Sequence, residues 1–207
     1  MYSIKEIYKT IQGEGAQAGR VAVFVRFSGC NLWSGREKHR ESAICQFCDT
    51  DFVGTDGVNG GNYSATQLAQ TVMEIWGSSA NKLIVFTGGE PMLQLDEALI
   101  KVCQENGFET AIETNGTLSI DFHIDWICVS PKEGSELIVK NGNELKVVFP
   151  QPGQNLKAFS NLKFEHLFLQ PMDGEQGKNN TDKTIQYCLE NPEWKLSIQQ
   201  HKLIGMP

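Results

Sequence analysis

The sequence predicts an α/β fold in which a mostly parallel sheet curls into a partial (β/α) barrel, with a long insertion after the first barrel strand. Short runs rich in Val, Ile and Phe alternate with amphipathic helical patterns along the chain, and small or polar residues follow most of these runs. A complete eight-fold barrel typically needs about 250 residues, whereas this chain has 207 and many of them belong to the insertion.

Seven apolar runs are predicted to be buried strands. β-Branched and aromatic residues dominate most of them, which is typical of strands that are covered on both faces of a parallel sheet. The predicted strands span residues 21–27, 82–87, 109–114, 125–130, 144–149, 164–170 and 194–199.

Three patterns with helical spacing connect some of these strands. The first follows a cap at Ser64 or Thr66, and its apolar residues are Leu68, Val72, Ile75 and Trp76. The second ends before Gly107, and its apolar residues are Leu95, Leu99, Val102 and Cys103. The third covers 181–191, with Pro192 beyond its end, and its predicted inward residues are Ile185, Cys188 and Leu189.

The segment 31–63 is too long for an ordinary connection, and loops of this length are usually functional or mobile. Its charged stretch 37–41 is predicted to be a solvated helical face. Small or polar groups also follow the strands, at 28–30, 88–91, 115–116, 131–132, 171–173 and 200–202. Because the carboxyl ends of parallel strands meet at one edge, these groups predict a single shared site there.

Composition excludes several classes of protein. The formal net charge is −7 and the pI is about 5.1, which argues against nonspecific nucleic-acid binding. No apolar run approaches the roughly 20 residues of a membrane span, and the first ten residues lack the apolar core of a signal peptide. We therefore expect a cytoplasmic protein with one domain over residues 1–207.

Three of the six cysteines form the pattern C-x14-C-x2-C at Cys30, Cys45 and Cys48. A C-x-x-C turn and a third thiolate from a strand end can together hold a metal centre. A [4Fe–4S] cluster with one open iron is favoured, while structural zinc with His39 as fourth ligand and cysteines without a ligand role stay open. The apolar settings of the other cysteines, Cys103, Cys128 and Cys188, predict packing.

The Gly88-Gly89-Glu90-Pro91 sequence follows the second predicted strand. Its glycines would let the backbone approach a ligand closely, and its carboxylate could bind an ammonium group. A plain turn between strand and helix is the alternative.

These motifs together resemble a known family. GCNLW, then CQFCDTDF and then TGGEP resemble the radical S-adenosylmethionine (SAM) superfamily, in a variant whose usual three residues between the first two cysteines are expanded to fourteen. Within it the chain resembles the 7-carboxy-7-deazaguanine synthases, only part of which share the expanded spacing. That resemblance spans essentially the whole chain and rests on TIQGEG at 10–15, RF at 26–27, CDTDF at 48–52, ETNG at 113–116, SPK at 130–132, QPMD at 170–173 and QHK at 200–202.

The resemblance implies a radical SAM lyase of queuosine and 7-deazapurine biosynthesis. Three thiolates would hold [4Fe–4S], and SAM would bind its open iron. An electron from flavodoxin or ferredoxin would release a 5′-deoxyadenosyl radical that takes hydrogen from C6 of 6-carboxy-5,6,7,8-tetrahydropterin. The ring would then contract and lose ammonia to give 7-carboxy-7-deazaguanine. A homodimer and a requirement for Mg²⁺ are also implied.

Site residues follow from the matched motifs, with no catalytic side chain beyond the cluster and SAM. The implied metal ligands are Cys30, Cys45 and Cys48 for the cluster and Thr50 for Mg²⁺. The implied SAM-binding residues are Phe47, Cys48, Asp49, Gly89, Ser130, Pro131, Lys132, Gln170, Pro171, Met172 and Asp173. The expected substrate-binding residues are Ile11, Gln12, Gly13, Glu14, Arg26, Thr87 and Pro207, the last through its free carboxylate.

The chemistry of the substrate supports some of these assignments. Its aminopyrimidine edge needs acceptors, which Gln12 and Glu14 could supply, and its carboxylate suits the fork of Arg26. A sheet-edge ion pair for Arg26, a surface charge for Glu14 and a structural hydrogen bond for His201 are the simpler alternatives. At the level of function, the alternatives are a glycyl-radical-activating enzyme, a zinc-stapled binding protein and a regulatory relative that binds protein.

Overall fold

The computed structural model describes residues 1–206 and contains one nine-stranded sheet in the order β3-β1-β2-β4-β5-β6-β7-β8-β9. The strands are β1 Tyr2–Ile11, β2 Val21–Phe27, β3 Gly61–Tyr63, β4 Leu83–Gly88, β5 Glu109–Thr114, β6 Trp126–Val129, β7 Asn141–Phe149, β8 Lys163–Pro171 and β9 Lys195–Leu196. From β2 to β9 every pairing is parallel, whereas β1 is antiparallel to both of its neighbours. The parallel strands form an open, partial barrel, as predicted.

Across the described residues 1–206, five α-helices and three short 3-10 helices accompany the sheet. The α-helices are α1 Ala65–Trp76, α2 Glu97–Glu105, α3 Leu156–Phe159, α4 Gly177–Glu190 and α5 Gln200–Ile204. The 3-10 helices span Gly15–Gln17, Glu37–Ser42 and Pro91–Leu93. No described helix within residues 1–206 combines the length and apolar character that a membrane crossing requires.

All seven predicted strands are present, and the insertion follows β2, the first barrel strand. The predicted solvated stretch is the 3-10 helix Glu37–Ser42, which has no buried residue. Helix α1 begins after Ser64, whose hydroxyl accepts from the N–H of Gln67 while the Gln67 side chain accepts from Ser64 N–H. The cap is therefore Ser64 rather than Thr66.

Strand β1 is absent from the prediction because charged residues interrupt its apolar pattern. Ile4 and Ile7 are fully buried in the core, but Lys5 lies between them. Lys5 is also buried, and its ammonium donates to the Val53 carbonyl and pairs with Asp51 and Asp56 in the insertion. A charged residue in this strand thus ties the sheet to the insertion.

The predicted inward face of the third helix is wrong for Ile185 and Leu189, whereas Cys188 packs against the core as predicted. In α4, Leu189 is 75% exposed and Ile185 39%, whereas Asn180 and Thr184 are buried. Asn180 donates to the Met172 carbonyl at 2.9 Å and Thr184 donates to the Asn180 carbonyl at 2.6 Å. Because these local bonds satisfy both polar side chains, they can occupy the stripe that apolar residues usually fill.

Two apolar clusters cover most of the sheet. One packs α1 and α2 against β1, β2, β4 and β5 and includes Cys103. The other packs around β7 and β8, with Trp194 at its centre and Cys188 against it. Cys128 is buried, and its thiol donates to Glu144 at 3.5 Å. The predicted packing role of these three cysteines is confirmed.

Candidate active site

The carboxyl ends of the strands open into one cavity of about 580 Å³. Most of the predicted site residues line it, although they come from segments distributed along the whole chain. Those residues are Ile11, Gln12, Gly13, Glu14, Arg26, Cys45, Phe47, Cys48, Asp49, Thr50, Thr87, Lys132, Gln170, Pro171, Met172 and Asp173. The predicted shared site is therefore present at this edge of the sheet.

The other predicted residues stand behind the lining or outside it. A Cβ on Gly89 would lie 2.1 Å from the Gly29 carbonyl oxygen and 2.9 Å from Cys30 Cβ, so only glycine fits there. Ser130 accepts from the ammonium of Lys132 at its carbonyl (2.6 Å) and hydroxyl (2.7 Å). Pro131 is buried between them in the chain, and Pro207 lies outside the described residues.

The three cysteines of the C-x14-C-x2-C pattern lie near enough to interact with one another electrostatically. The N–H of Leu32 donates to Cys30 Sγ at 3.4 Å. A hydrogen bond from the thiol of Cys45, helped by the N–H of Thr50 and opposed by burial, lowers the pKa of Cys48 to about 6. The same bond raises the pKa of Cys45. The side chains of Cys45 and Cys48 therefore lie within hydrogen-bond distance of each other.

The surroundings fit an iron–sulfur cluster better than zinc. Within residues 1–206, no three or more His, Cys, Asp or Glu side chains are arranged to hold a single metal ion. The His39 ring, the candidate fourth zinc ligand, shares a hydrogen bond with Ser34 Oγ at 2.8 Å. In the same described range, the indole N–H of Trp33 is the only buried side-chain polar atom without a partner. A donor left over in this segment suits the sulfur acceptors of a cluster.

The floor of the cavity is a buried ionic network. The Lys146 ammonium lies 2.6 Å from Glu14 Oε2 and 3.3 Å from Glu113 Oε1. Gln170 and Gln199 donate to Glu14 Oε1, at 3.1 Å and 3.0 Å. Although burial opposes ionisation, Lys146 and these hydrogen bonds lower the pKa of Glu14 to about 2. Glu14 is thus an anion inside the site, and the surface-charge alternative is wrong.

Comparisons with known proteins agree with this architecture. A model of the radical SAM superfamily matches residues 40–187. The 7-carboxy-7-deazaguanine synthase of Bordetella pertussis is 58% identical over 208 residues, covering 100% of this chain and 99% of the relative. The enzyme of the same name from Bradyrhizobium diazoefficiens is 55% identical over 99% of both chains. The chain belongs to the 7-carboxy-7-deazaguanine synthase family.

A solved structure is consistent with membership of this family. The crystal structure of QueE from Escherichia coli matches with a TM-score of 0.74 and 26% sequence identity. The match covers 97% of this chain and 94% of that one. The synthase family lies within the radical SAM superfamily, which implies a [4Fe–4S] cluster and SAM as cofactors.

Arg26 forms an ion pair and also lines the cavity in this member of the synthase family. Its Nε donates to Glu6 at 2.8 Å and its Nη2 to the Tyr8 hydroxyl at 2.9 Å. The ion pair with Glu6 is the simpler alternative from the sequence, yet Arg26 also lines the cavity. Because a guanidinium has five N–H donors, it can keep Glu6 and still meet an anion.

Glu90 has a structural environment in the synthase fold. Its side chain is fully buried, and its oxygens accept from Met92 N–H, Thr114 hydroxyl and Asn115 N–H at 3.0, 2.7 and 2.7 Å. Burial still raises its pKa. These bonds join the ends of β4 and β5, so the structure favours the plain turn over an ammonium site.

Several residues that line the cavity or lie directly behind its lining are missing from the sequence-based prediction. Glu113 is part of the ETNG motif, and Lys146 lies in the predicted strand 144–149. The sequence analysis assigns neither of them a role. Gln199 and Lys202 reach the cavity from the C-terminal segment, where Lys202 pairs with Asp49 at 2.8 Å and Asp173 at 2.5 Å. A lysine in a strand that is otherwise buried is the signal that could have identified the network.

Proposed function

We propose that the chain is a 7-carboxy-7-deazaguanine synthase, with residues 1–207 forming a single radical SAM domain. The substrate would be 6-carboxy-5,6,7,8-tetrahydropterin and the products 7-carboxy-7-deazaguanine and ammonia. One observation carries this proposal: the Cys45–Cys48 turn, most of the expected SAM-binding residues and the pterin motif line one cavity. The family relatives at 58% and 55% identity support the same activity.

Cys30, Cys45 and Cys48 would hold the cluster, and SAM would lie against Phe47, Asp49, Lys132 and the 170–173 segment. Together these groups, when bound, supply the 5′-deoxyadenosyl radical that removes hydrogen from C6 of the substrate. Because Gly89 has no side chain, its backbone can pack directly against Gly29 and Cys30. Burial lowers the pKa of Lys132, and its electrostatic interaction with Cys45 and Cys48 opposes that shift.

The remaining side chains would orient the pterin. Glu14 is ionised at neutral pH and accepts hydrogen bonds, which suits the aminopyrimidine edge. Gln12 is fixed by bonds to Glu113 (2.9 Å) and to the Glu14 N–H (3.1 Å), so its orientation is set before substrate binds. Arg26 would meet the substrate carboxylate.

The finer assignments belong to the same proposal. The Thr50 hydroxyl would bind Mg²⁺ together with water and substrate oxygens, since hard cations prefer oxygen ligands. Flavodoxin or ferredoxin would supply the electron, and two copies of the chain would form a homodimer. Omission of Mg²⁺ from the assay and sedimentation of the purified protein test the first and the last of these.

An anaerobic assay tests the proposed activity. Reconstituted protein is incubated with SAM, dithionite, Mg²⁺ and 6-carboxytetrahydropterin, and 5′-deoxyadenosine and 7-carboxy-7-deazaguanine are followed by mass spectrometry. We expect both products from the wild type and from Cys188→Ala, a half-buried cysteine outside the cavity. Cys45→Ala should give neither product and keep its circular dichroism. 5′-Deoxyadenosine alone from the wild type would contradict the pterin substrate.

A further inference from the structure

The segment between Cys30 and Cys45 contains a side-chain clamp that ends on the cysteine turn. Arg40 Nε donates to Glu37 Oε2 at 2.7 Å, and Nη2 donates to Glu37 Oε1 at 2.5 Å. Arg40 Nη1 donates to the carbonyls of Gln46 (2.8 Å) and Cys48 (3.0 Å). One guanidinium therefore joins the 3-10 helix of the insertion to two backbone positions of the turn from Cys45 to Cys48.

An aromatic layer supports this guanidinium from one face. The Arg40 guanidinium carbon lies 4.0 Å from the centre of the Trp33 ring. Trp33 packs edge-on against Phe52, with the ring centres 5.6 Å apart, and only 7% and 1% of these residues are exposed. Stacking on an indole and a bidentate carboxylate together fix the plane of the fork, which makes lysine a poor replacement.

The charge of Arg40 also acts on the cysteines themselves. Arg40 interacts electrostatically with Cys45 and Cys48, as Lys132 also does. A cluster bound by three thiolates becomes more negative by one charge when it is reduced. A fixed cation at the turn therefore stabilises the reduced form relative to the oxidised form.

We propose that Arg40 is a positioning residue for the cluster: its fork holds the Cys45–Cys48 turn ready to bind the cluster, and its charge favours the reduced state. This inference rests on the proposed function only in that the three cysteines hold a cluster. It requires neither the pterin substrate nor the ring contraction. It also gives the long cysteine spacing a physical role, because the insertion supplies Glu37, Arg40 and Trp33 together.

Three variants separate the two roles, and a fourth is the control. Arg40→Met removes the fork and the charge, Arg40→Lys removes the fork alone, and Glu37→Gln weakens the fork without touching the turn. Lys38→Met removes one positive charge from the same 3-10 helix, where Lys38 is exposed. Each reconstituted protein is assayed for iron and sulfide, for the rate of iron loss to a chelator, and for the midpoint potential without SAM.

We expect Arg40→Met and Arg40→Lys to lose iron about tenfold faster than Lys38→Met, since partners of metal ligands typically change affinity by that order. Glu37→Gln should lose iron at an intermediate rate. Arg40→Met should also reduce the equilibrium constant for one-electron reduction about tenfold, a fall of 59 mV, while Arg40→Lys should keep a potential close to that of the wild type.

Two results would overturn the inference. Iron loss and potential of Arg40→Met equal to those of Lys38→Met would exclude both roles of Arg40. A wild type that binds no iron and sulfide would remove the inference together with the cluster. A wild type that binds a cluster but makes no 7-carboxy-7-deazaguanine would contradict only the proposed function, and the Arg40 comparison would stand. If Arg40→Met fails to fold, Arg40→Lys and Glu37→Gln carry the same test of the fork.

Discussion

The ion pair of Glu14 and Lys146 is the central residue-scale feature of the buried network. Both side chains are nearly buried, with 14% and 6% exposed, so removal of Lys146 would leave the Glu14 carboxylate as an unpaired buried charge. The pair lies at the floor of the cavity, where it also fixes Gln170. Stability therefore depends on the same carboxylate that we propose orients the substrate.

This pair predicts a pH dependence of unfolding. The pKa of Glu14 is about 2 in the folded chain and about 4.3 in an unfolded one. A lowered carboxyl pKa stabilises the fold above the unfolded value, and that stabilisation is lost as pH falls toward 2. We expect Glu14→Gln to reduce the free energy of unfolding by a few kcal/mol at pH 6, at about 1.4 kcal/mol per pKa unit, and by much less near pH 2.

Urea denaturation at several pH values measures this difference. Glu175→Gln, on the exposed surface, is the matched control and should track the wild type throughout. A gap between wild type and Glu14→Gln that stays constant from pH 6 to pH 2 would show that the ion pair does not set the pKa of Glu14.

At this scale the sequence predicts residue types better than partners. The three cysteines and Arg26 could be chosen because their chemistry is visible in the motifs. The partner of Glu14 could not be found, because Lys146 lies 132 positions away, on β7, whereas Glu14 follows β1. Only the folded, curved sheet brings the two side chains together.

At the scale of elements, the C-terminal helix α5 packs directly on the segment that follows β1. The N–H of Gln200 donates to the Gly13 carbonyl at 3.0 Å. A Cβ on Gly13 would lie 2.3 Å from His201 Nδ1 and 2.7 Å from the His201 backbone nitrogen. Because one of these atoms is backbone, the helix itself must move if a methyl group is added.

We therefore expect Gly13→Ala to displace α5 and to lower kcat/KM for the pterin about tenfold or more, since small misplacements of binding groups have effects of this order. Cluster content should not change, because Gly13 does not contact the cysteines. Gly177→Ala is the control, since its Cβ would meet only Asp173 Oδ1 at 3.5 Å. Steady-state kinetics that are equal for the two variants would show that α5 does not constrain the pterin site.

The predicted elements were most accurate where burial is two-sided. Strand β2 was predicted to the residue because apolar residues occupy both faces of a covered parallel strand. Strand β5 was also predicted to the residue, although only Ala111 and Ile112 of its six residues are apolar. Strand β1 and helix α5 were missed, since both carry charged side chains that have partners elsewhere in the fold. The face of α4 was predicted wrongly because Asn180 and Thr184 satisfy their polar groups locally.

At the scale of the whole molecule, the barrel is open and the C-terminal segment bridges its mouth. The parallel part of the sheet begins at β2 and ends at β9, and these two strands do not pair with each other. Asp49 lies in the insertion after β2, and Asp173 follows β8, so the two carboxylates come from opposite ends of the parallel sheet. The ammonium of Lys202 binds both, at 2.8 and 2.5 Å. The Lys202 side chain thus spans the opening between the two ends of the parallel sheet.

This bridge predicts a variant that affects binding more than stability. Lys202 and its two partners are partly exposed, and exposed ion pairs contribute only about 0–1 kcal/mol. Lys202→Met should therefore change the free energy of unfolding by less than about 1 kcal/mol. The control is Lys178→Met, on the exposed side of α4, which should change neither stability nor binding. Because Asp49 and Asp173 belong to the proposed SAM-binding segments, we expect the KM for SAM to rise several-fold in Lys202→Met alone. High salt should raise the same KM in the wild type, since screening weakens the bridge. A wild-type KM in Lys202→Met would show that the open barrel holds its two ends together without this contact.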